Sequence, residues 1–133
     1  MYTKGEKLSL LSEMIALAKS DKELKENEYG FILAVASQLG VSENEVVDLM
    51  EKKVEKKILQ PEAQRILQFH RLVLLMNVDQ ESALVEIEKI REIGLSMGLR
   101  REAIDTVLKE MHSYKDKVIP PNELIEIFKR FYN

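Results

Sequence analysis

Apolar residues recur every three or four positions along most of this chain, which is the spacing of one face of an α-helix. The first such stripe spans 7–19, and the second runs from Tyr29 to Leu39. Gly40 follows directly, where glycine suits the left-handed residue that ends a helix. Only five glycines and three prolines interrupt the pattern, so we predict an all-α protein.

The third predicted helix begins at a capping box, the run Ser42-Glu43-Asn44-Glu45. Its apolar stripe continues to Val54 and overlaps the charged stretch 51–57, which contains four lysines. We interpret this stretch as a solvated helix end, because a basic patch for nucleic acid would have aromatic residues between its charges and a positive net charge.

Four more helices follow. Pro61 suits the first turn of a fourth helix, whose apolar residues point in nearly every direction, so we predict that it is the central helix. A fifth and a sixth helix are separated at Gly98, and Pro120-Pro121 opens a seventh with its own apolar stripe. The chain is thus predicted to form about seven helices in a single domain, 1–133.

The two halves of the chain resemble each other when they are shifted by 58 residues without a gap. Neither half alone would bury its apolar stripes, so we predict two three-helix repeats, about 7–57 and 65–115, in a pseudo-twofold pair closed by the seventh helix. Four identical pairs share this offset: Leu17 and Leu75, Asp21 and Asp79, Glu28 and Glu86, and Gly40 and Gly98.

Acidic turns recur in both halves. The first turn, 21–28, holds four carboxylates and one carboxamide, and calcium and magnesium prefer several such oxygen ligands. An EF-hand is excluded, since Lys25, Glu26 and Ile32 occupy its fifth, sixth and twelfth positions.

Helix capping is the alternative interpretation of these acids, and we favour it. With Lys25 at the N-cap of the second helix, Glu28 is the third residue and its carboxylate accepts the N-cap backbone N–H. Ala83 and Glu86 hold the same places before the fifth helix, and Asp21 and Asp79 lie upstream as further acceptors.

Other chemistry is sparse. The chain has no cysteine, and His70 and His112 are its only histidines, with His70 interpreted as a core residue and His112 as solvent-facing. No nucleophile motif or phosphate loop is present, so we expect no enzyme, with a carboxylate-based hydrolase as the least favoured alternative.

Composition excludes further classes. A hydrophobic share of 45% supports a folded core, but no apolar run is long enough to span a membrane. The net charge of −3 does not favour nucleic acid. Without cysteines or a signal sequence, the expected location is the cytoplasm.

Flexible and aromatic residues leave two alternatives open. Methionines on the predicted stripes are interpreted as core residues, with a plastic peptide groove as the alternative. Phe128, Phe131 and Tyr132 are expected to pack on the protein's own core, with a homodimer surface as the alternative.

The first acidic turn resembles the motif of the TerB-like tellurite-resistance family, which reads Asp-Gly-x-hydrophobic-x-x-x-Glu between two amphipathic helices. Asp21, Leu24 and Glu28 match it, and the preceding Met14-Ile15-Ala16-Leu17-Ala18 is similar to the family's helix. Lys22 departs from the motif's glycine. In the second half Asp79 and Glu86 match, whereas Gln80 and Ser82 depart.

This resemblance implies a helical bundle, related to the N-terminal region of a membrane-anchored DnaJ-like co-chaperone, with a non-enzymatic role in stress-linked protein complexes. It also implies divalent-cation binding at Asp21, Glu28, Asp79 and Glu86. Our leading prediction is a cytoplasmic module that binds other proteins, and a dedicated metal-binding or ion-sensing protein is the alternative.

Overall fold

A computed structural model describes residues 2–20, 24–78 and 84–131. The described residues are all-helical, with seven α-helices and no strand, as the apolar spacing predicts. None of these helices is both long and apolar enough to cross a membrane. In chain order they are α1 Lys4–Ala18, α2 Glu26–Leu39, α3 Glu43–Leu49, α4 Glu62–Met76, α5 Leu84–Ser96, α6 Arg101–Glu110 and α7 Pro121–Lys129.

Two helices begin at side-chain caps. The Ser42 box is confirmed: its hydroxyl accepts the Glu45 backbone N–H and Glu45 accepts the Ser42 N–H, both at 3.2 Å. A second box, between Thr3 and Glu6, starts α1 three residues before the predicted 7–19 segment. Short polar residues ahead of an apolar stripe therefore set the boundary better than the stripe itself.

Glycines end two of the helices. Gly40 follows α2 with φ of 75° and Gly98 lies between α5 and α6 with φ of 81°. Glycine adopts this left-handed conformation without the steric cost that a Cβ would add. Both predicted helix ends are confirmed.

The predicted third helix is too long. The helix ends at Leu49, and residues 52–59 are not helical, so the solvated helix end was a wrong prediction. This segment crosses α1, where the Lys57 backbone N–H donates to the Ser9 hydroxyl at 3.0 Å, and it inserts Leu59 into the core. These contacts hold the segment in a non-helical path, while the charged side chains remain exposed.

Helix α4 is central, as predicted, and contacts α1, α2, α5 and α7. Within it Phe69 is fully buried and meets Phe128 of α7 edge to face, with ring centroids 5.9 Å apart. The C-terminal helix therefore packs on the protein's own core, with Phe131 half-buried against it, while Tyr132 lies outside the described residues. Four methionines are also buried core residues: Met14, Met76, Met97 and Met111.

The offset of 58 residues fits one pair of helices in both start and length. Helices α1 and α4 both have 15 residues, from Lys4 and Glu62, whereas α2 has 14 residues against 13 described in α5, and α3 has 7 against 10 in α6. The halves differ where α7 enters: α1 contacts α3, whereas the described backbones of α4 and α6 do not approach, and α7 packs against both. Duplication of the two halves stays a prediction.

Candidate functional site

The first predicted site residue, Glu28, caps α2. Its carboxylate accepts the backbone N–H of the N-cap residue Lys25 at 3.1 Å, and the side chain is only 2% exposed. A carboxylate here also lies close to the positive end of the helix dipole. This is the contact that the capping interpretation expects.

Of the remaining three predicted site residues, the structure describes one. Glu86 lies in the first turn of α5 and is buried. Asp21, Asp79 and the expected N-cap Ala83 lie outside the described residues. Among the residues that are described, no three histidine or carboxylate side chains come together as a metal site, and the four-residue cation hypothesis stays a prediction.

The two histidines lie in different environments. His70 is buried on α4, and its Nε2–H donates to the Ile119 carbonyl oxygen at 2.8 Å. Burial lowers the pKa of His70, with the Ile119 bond opposing and the nearby Arg71 charge reinforcing the shift. His112 is exposed, so both histidine expectations are confirmed.

A buried polar network on α4 is the feature that sequence reasoning missed. The fully buried Gln68 donates from Nε2 to the Leu10 carbonyl oxygen and to Glu13, both at 3.1 Å. Its Oε1 accepts from the Arg71 guanidinium at 3.2 Å. The available signal was a glutamine in the helix that is apolar in nearly every direction, since buried polar groups require partners.

Glu13 lines an open cavity of about 250 Å³ between α1 and α5. A second depression continues it toward the start of α5, sharing Ala16, Lys89 and Glu92, and we call the two together the α1–α5 groove. Small side chains of α1 leave this space, because they recur on one helical face. They are Ser9, Ser12 and Ala16, and Ser20 continues the row just past the end of α1.

Charges of both signs border the groove. Lys56 donates to Ser96 at 2.9 Å, and Lys89 pairs with Glu92 at 3.8 Å. Burial raises the pKa of Glu13, while its bond from Gln68 and the Lys56 ammonium oppose the rise. A further cation close to Glu13 would stabilise its ionised form, because a nearby positive charge lowers the pKa of a carboxyl group.

Three apolar side chains of α5 are exposed to solvent. Leu84 is 70% exposed, Val85 is 44% exposed and Leu95 is 36% exposed. Of these, Val85 lines the groove. Val85 therefore gives the groove an exposed apolar contact point.

A separate cavity of about 380 Å³ lies on the other side of Gln68, and we call it the α2–α4 pocket. Arg71 lines it, with its guanidinium 5.7 Å from the centre of the Tyr2 ring. The Tyr2 hydroxyl donates to Gln64 Oε1. The wall is completed by Glu6, Lys7, Gln38, Leu39, Leu59, Pro61 and Leu67.

Comparison of the chain with protein-family models, with curated proteins and with solved structures finds no match.

Proposed function

We propose that this protein is a non-enzymatic, TerB-like helical module that binds another protein through the α1–α5 groove. The observation that carries the proposal is the groove itself, which follows α1 from Ser9 to Ala16, continues to Ser20 and includes the exposed apolar Val85 of α5. The seven helical steps from Ser9 to Ala16 correspond to about 10 Å, or about two turns, and the groove continues past the end of α1 to Ser20. That length suits a segment of a partner protein better than a small molecule.

The occupant we propose is an amphipathic helix with small apolar residues and one basic side chain. Its apolar face would cover Val85, while Ala16 allows close approach between helices. Its lysine or arginine would meet Glu13, the carboxyl that burial makes hardest to ionise. Glu88 and Glu92 at the rim add to the attraction.

The resemblance at Asp21, Leu24 and Glu28 supports a role in stress-linked complexes of the kind ascribed to the TerB-like family. As part of the same proposal, the protein acts in the cytoplasm, which its lack of cysteine favours. Its halves arose by duplication: Gln68 contacts Leu10, its own counterpart at an offset of 58, as expected near a twofold axis.

Site-specific photo-crosslinking tests the groove. A benzophenone amino acid at Ser12 should label a partner in cells, whereas the same group at the exposed Ala63 of α4 should not. The adduct should disappear with Ala16→Arg, which fills the groove, and persist with the matched Ala63→Arg. Labelling that persists in the Ala16→Arg variant would contradict the proposal.

Glu13→Gln then tests the basic contact. Once the partner segment is identified, calorimetry should show about tenfold weaker binding to the variant, because an ion pair replaced by a neutral contact loses on the order of 1.4 kcal/mol. Equal affinity for both proteins would leave the groove as the docking surface but remove the basic anchor.

A dedicated metal-binding protein is the second candidate. It is favoured by the burial of both Glu28 and Glu86 in the first turns of α2 and α5. Thermal melts of chelator-treated protein with calcium, magnesium, manganese or zinc test it against an Asp21→Ala/Asp79→Ala variant. A dose-dependent rise in melting temperature seen only in the wild type supports metal binding, and a flat response contradicts it.

A further inference from the structure

We infer that the α2–α4 pocket binds a small organic molecule that has one carboxylate and an apolar body. The pocket's volume of about 380 Å³ falls in the range of small-molecule sites. It is formed by four parts of the chain: the start of α1, the end of α2, the 59–61 segment and α4. It is separate from the α1–α5 groove and shares no lining residue with it.

Arg71 is the group that selects an anion. Its guanidinium has five N–H donors, of which one donates to Gln68 at 3.2 Å and others reach the Tyr2 hydroxyl only at 3.5 Å. No carboxylate of the described residues lies within ion-pair distance of it. An arginine guanidinium in a pocket wall is positively charged and has N–H donors side by side. Because no described carboxylate pairs with this one, it is suited to bind a ligand carboxylate through two hydrogen bonds.

Tyr2 and Gln68 hold that fork in place. The Tyr2 ring lies against the guanidinium, and the Tyr2 hydroxyl is anchored in turn on Gln64 Oε1. Because Gln68 is fully buried, the Arg71 nitrogen bonded to it stays on the inner side of the pocket wall. A positioned guanidinium loses less conformational entropy when a ligand binds than a free surface arginine does.

The other polar residues of the pocket favour the same charge. Lys7 adds a second cation, and the amides of Gln38 and Gln64 supply neutral donors. The one carboxylate, Glu6, accepts the Thr3 backbone N–H at 2.8 Å in the cap of α1. The pocket lining thus has two cations and one carboxylate, and that carboxylate is already bonded in the cap of α1. Its net charge is positive.

Apolar side chains form the rest of the wall and require an apolar ligand body. They are Leu39, Leu59, Pro61 and Leu67, with Leu59 itself buried in the core. A medium-chain fatty acid, an aromatic acid, or the C-terminal carboxylate of an apolar peptide all carry this shared chemistry. The charged end selects orientation, and the apolar body contributes most of the affinity.

Binding of octanoate, with octanol as the uncharged counterpart, is the direct test. Calorimetry and thermal melts should show binding of octanoate to the wild type and about tenfold weaker binding to Arg71→Met, the loss expected for a charge-assisted contact. Octanol should bind both proteins equally. Arg101→Met, at an exposed position of α6 outside the pocket, is the matched control and should bind octanoate like the wild type.

A second variant keeps Arg71 and its contacts. Gln38→Glu, at an exposed position of the wall, places a negative charge in the pocket and should weaken octanoate binding while sparing octanol. A short apolar peptide with a free C-terminus, compared with its C-terminal amide, distinguishes a peptide ligand from a free acid. Arg71-dependent binding of either carboxylate supports the inference. It is overturned if neither binds, or if binding is unchanged in both variants.

Discussion

The α1–α5 groove and the α2–α4 pocket lie on opposite sides of one buried amide, and their linings have net charges of opposite sign. Gln68 donates to Glu13 on the groove side and accepts from Arg71 on the pocket side. The groove is long, open and bordered by small side chains, whereas the pocket has an apolar wall and a fixed guanidinium. The same helix packing thus builds a surface suited to a protein segment and a cavity suited to a small anion.

The orientation of that amide matches the charge on each side. Its NH₂ group lies against the Leu10 carbonyl oxygen and the Glu13 carboxylate, both acceptors, and its oxygen lies against the Arg71 donors. If the amide were rotated by 180°, its oxygen would face the two acceptors and its NH₂ group would face the Arg71 donors. In the duplication proposal Glu13 and Arg71 hold the same position in the two repeats, so the copies diverged in charge around a shared centre.

The loop between α3 and α4 also takes part in both cavities. Val54 and Lys56 line the groove, and Leu59 and Pro61 line the pocket. Between them Lys57 is held to α1 by Ser9. A residue change in this segment is therefore able to affect one cavity without the other.

Phe128→Asp should have the largest effect, because it places a charge in the core between α7 and the central helix α4. Phe128 is fully buried against Phe69, and an unpaired carboxylate there costs several kcal/mol, enough to unfold a domain whose total stability is about 5–15 kcal/mol. Circular dichroism should show loss of the cooperative melt. Phe131→Asp, at a half-buried position, should still melt cooperatively. A folded Phe128→Asp protein that elutes later than the wild type on gel filtration would instead make this a dimer surface.

Gln68→Leu should have the next largest effect, because it removes the link between the two cavities. It leaves the Leu10 carbonyl oxygen and Glu13 without their amide donor, which costs about 1–3 kcal/mol. Urea unfolding measures the loss, and the exposed Gln38→Leu serves as the control. A loss as small as that of Gln38→Leu would mean that water replaces the amide and that the two cavities are independent.

The sequence was sufficient for the helices but not for the network. Apolar spacing, the Ser42 cap and the glycines at 40 and 98 act over a few residues, and the structure confirms them. The predicted length of α3 was wrong because Lys57 is bonded to Ser9, 48 residues earlier in the chain, and the segment that contains it is not helical. Local sequence patterns do not indicate which distant residue a segment will contact.

The candidate site was predictable only where local rules govern it. The cap contact of Glu28 follows from its place three residues after the N-cap. Glu13, Gln68 and Arg71 were not singled out, because each is a common polar residue whose meaning depends on which helices pack together. A polar residue on a helix that is apolar all round is the signal to use in other chains.

The pH dependence of stability should distinguish the groove side of the network from the core beside it. Burial raises the pKa of Glu13 above its usual 4.5, so the folded state holds this proton more tightly than the unfolded chain does. The associated stability is present below pH 4.5 and is lost as pH rises through the higher folded-state pKa. Urea unfolding of Glu13→Gln should lack this loss.

His70 should respond in the opposite direction. Burial lowers its pKa below the usual 6.5, so the unfolded chain takes up the proton first as pH falls. Stability is complete above pH 6.5 and decreases as pH falls through the folded-state pKa. A His70→Gln variant, compared with His112→Gln at the exposed site, should lose the dependence below pH 6.5. Identical acid profiles for the two variants would exclude His70 as its source.

Lys56→Ala should have the smallest effect on stability and should still change the groove. Its contact with Ser96 is exposed, so the change in unfolding free energy should stay within about 0.5 kcal/mol. The Lys56 ammonium lowers the pKa of Glu13 against the effect of burial, and its removal should raise that pKa further. NMR titration of the Glu13 side chain measures the shift, and Lys53→Ala, at an exposed position of the same segment, should leave it unchanged. An unshifted Glu13 in both variants would mean that Gln68 alone opposes burial, and that the charge of the groove is set from the core and not from its rim.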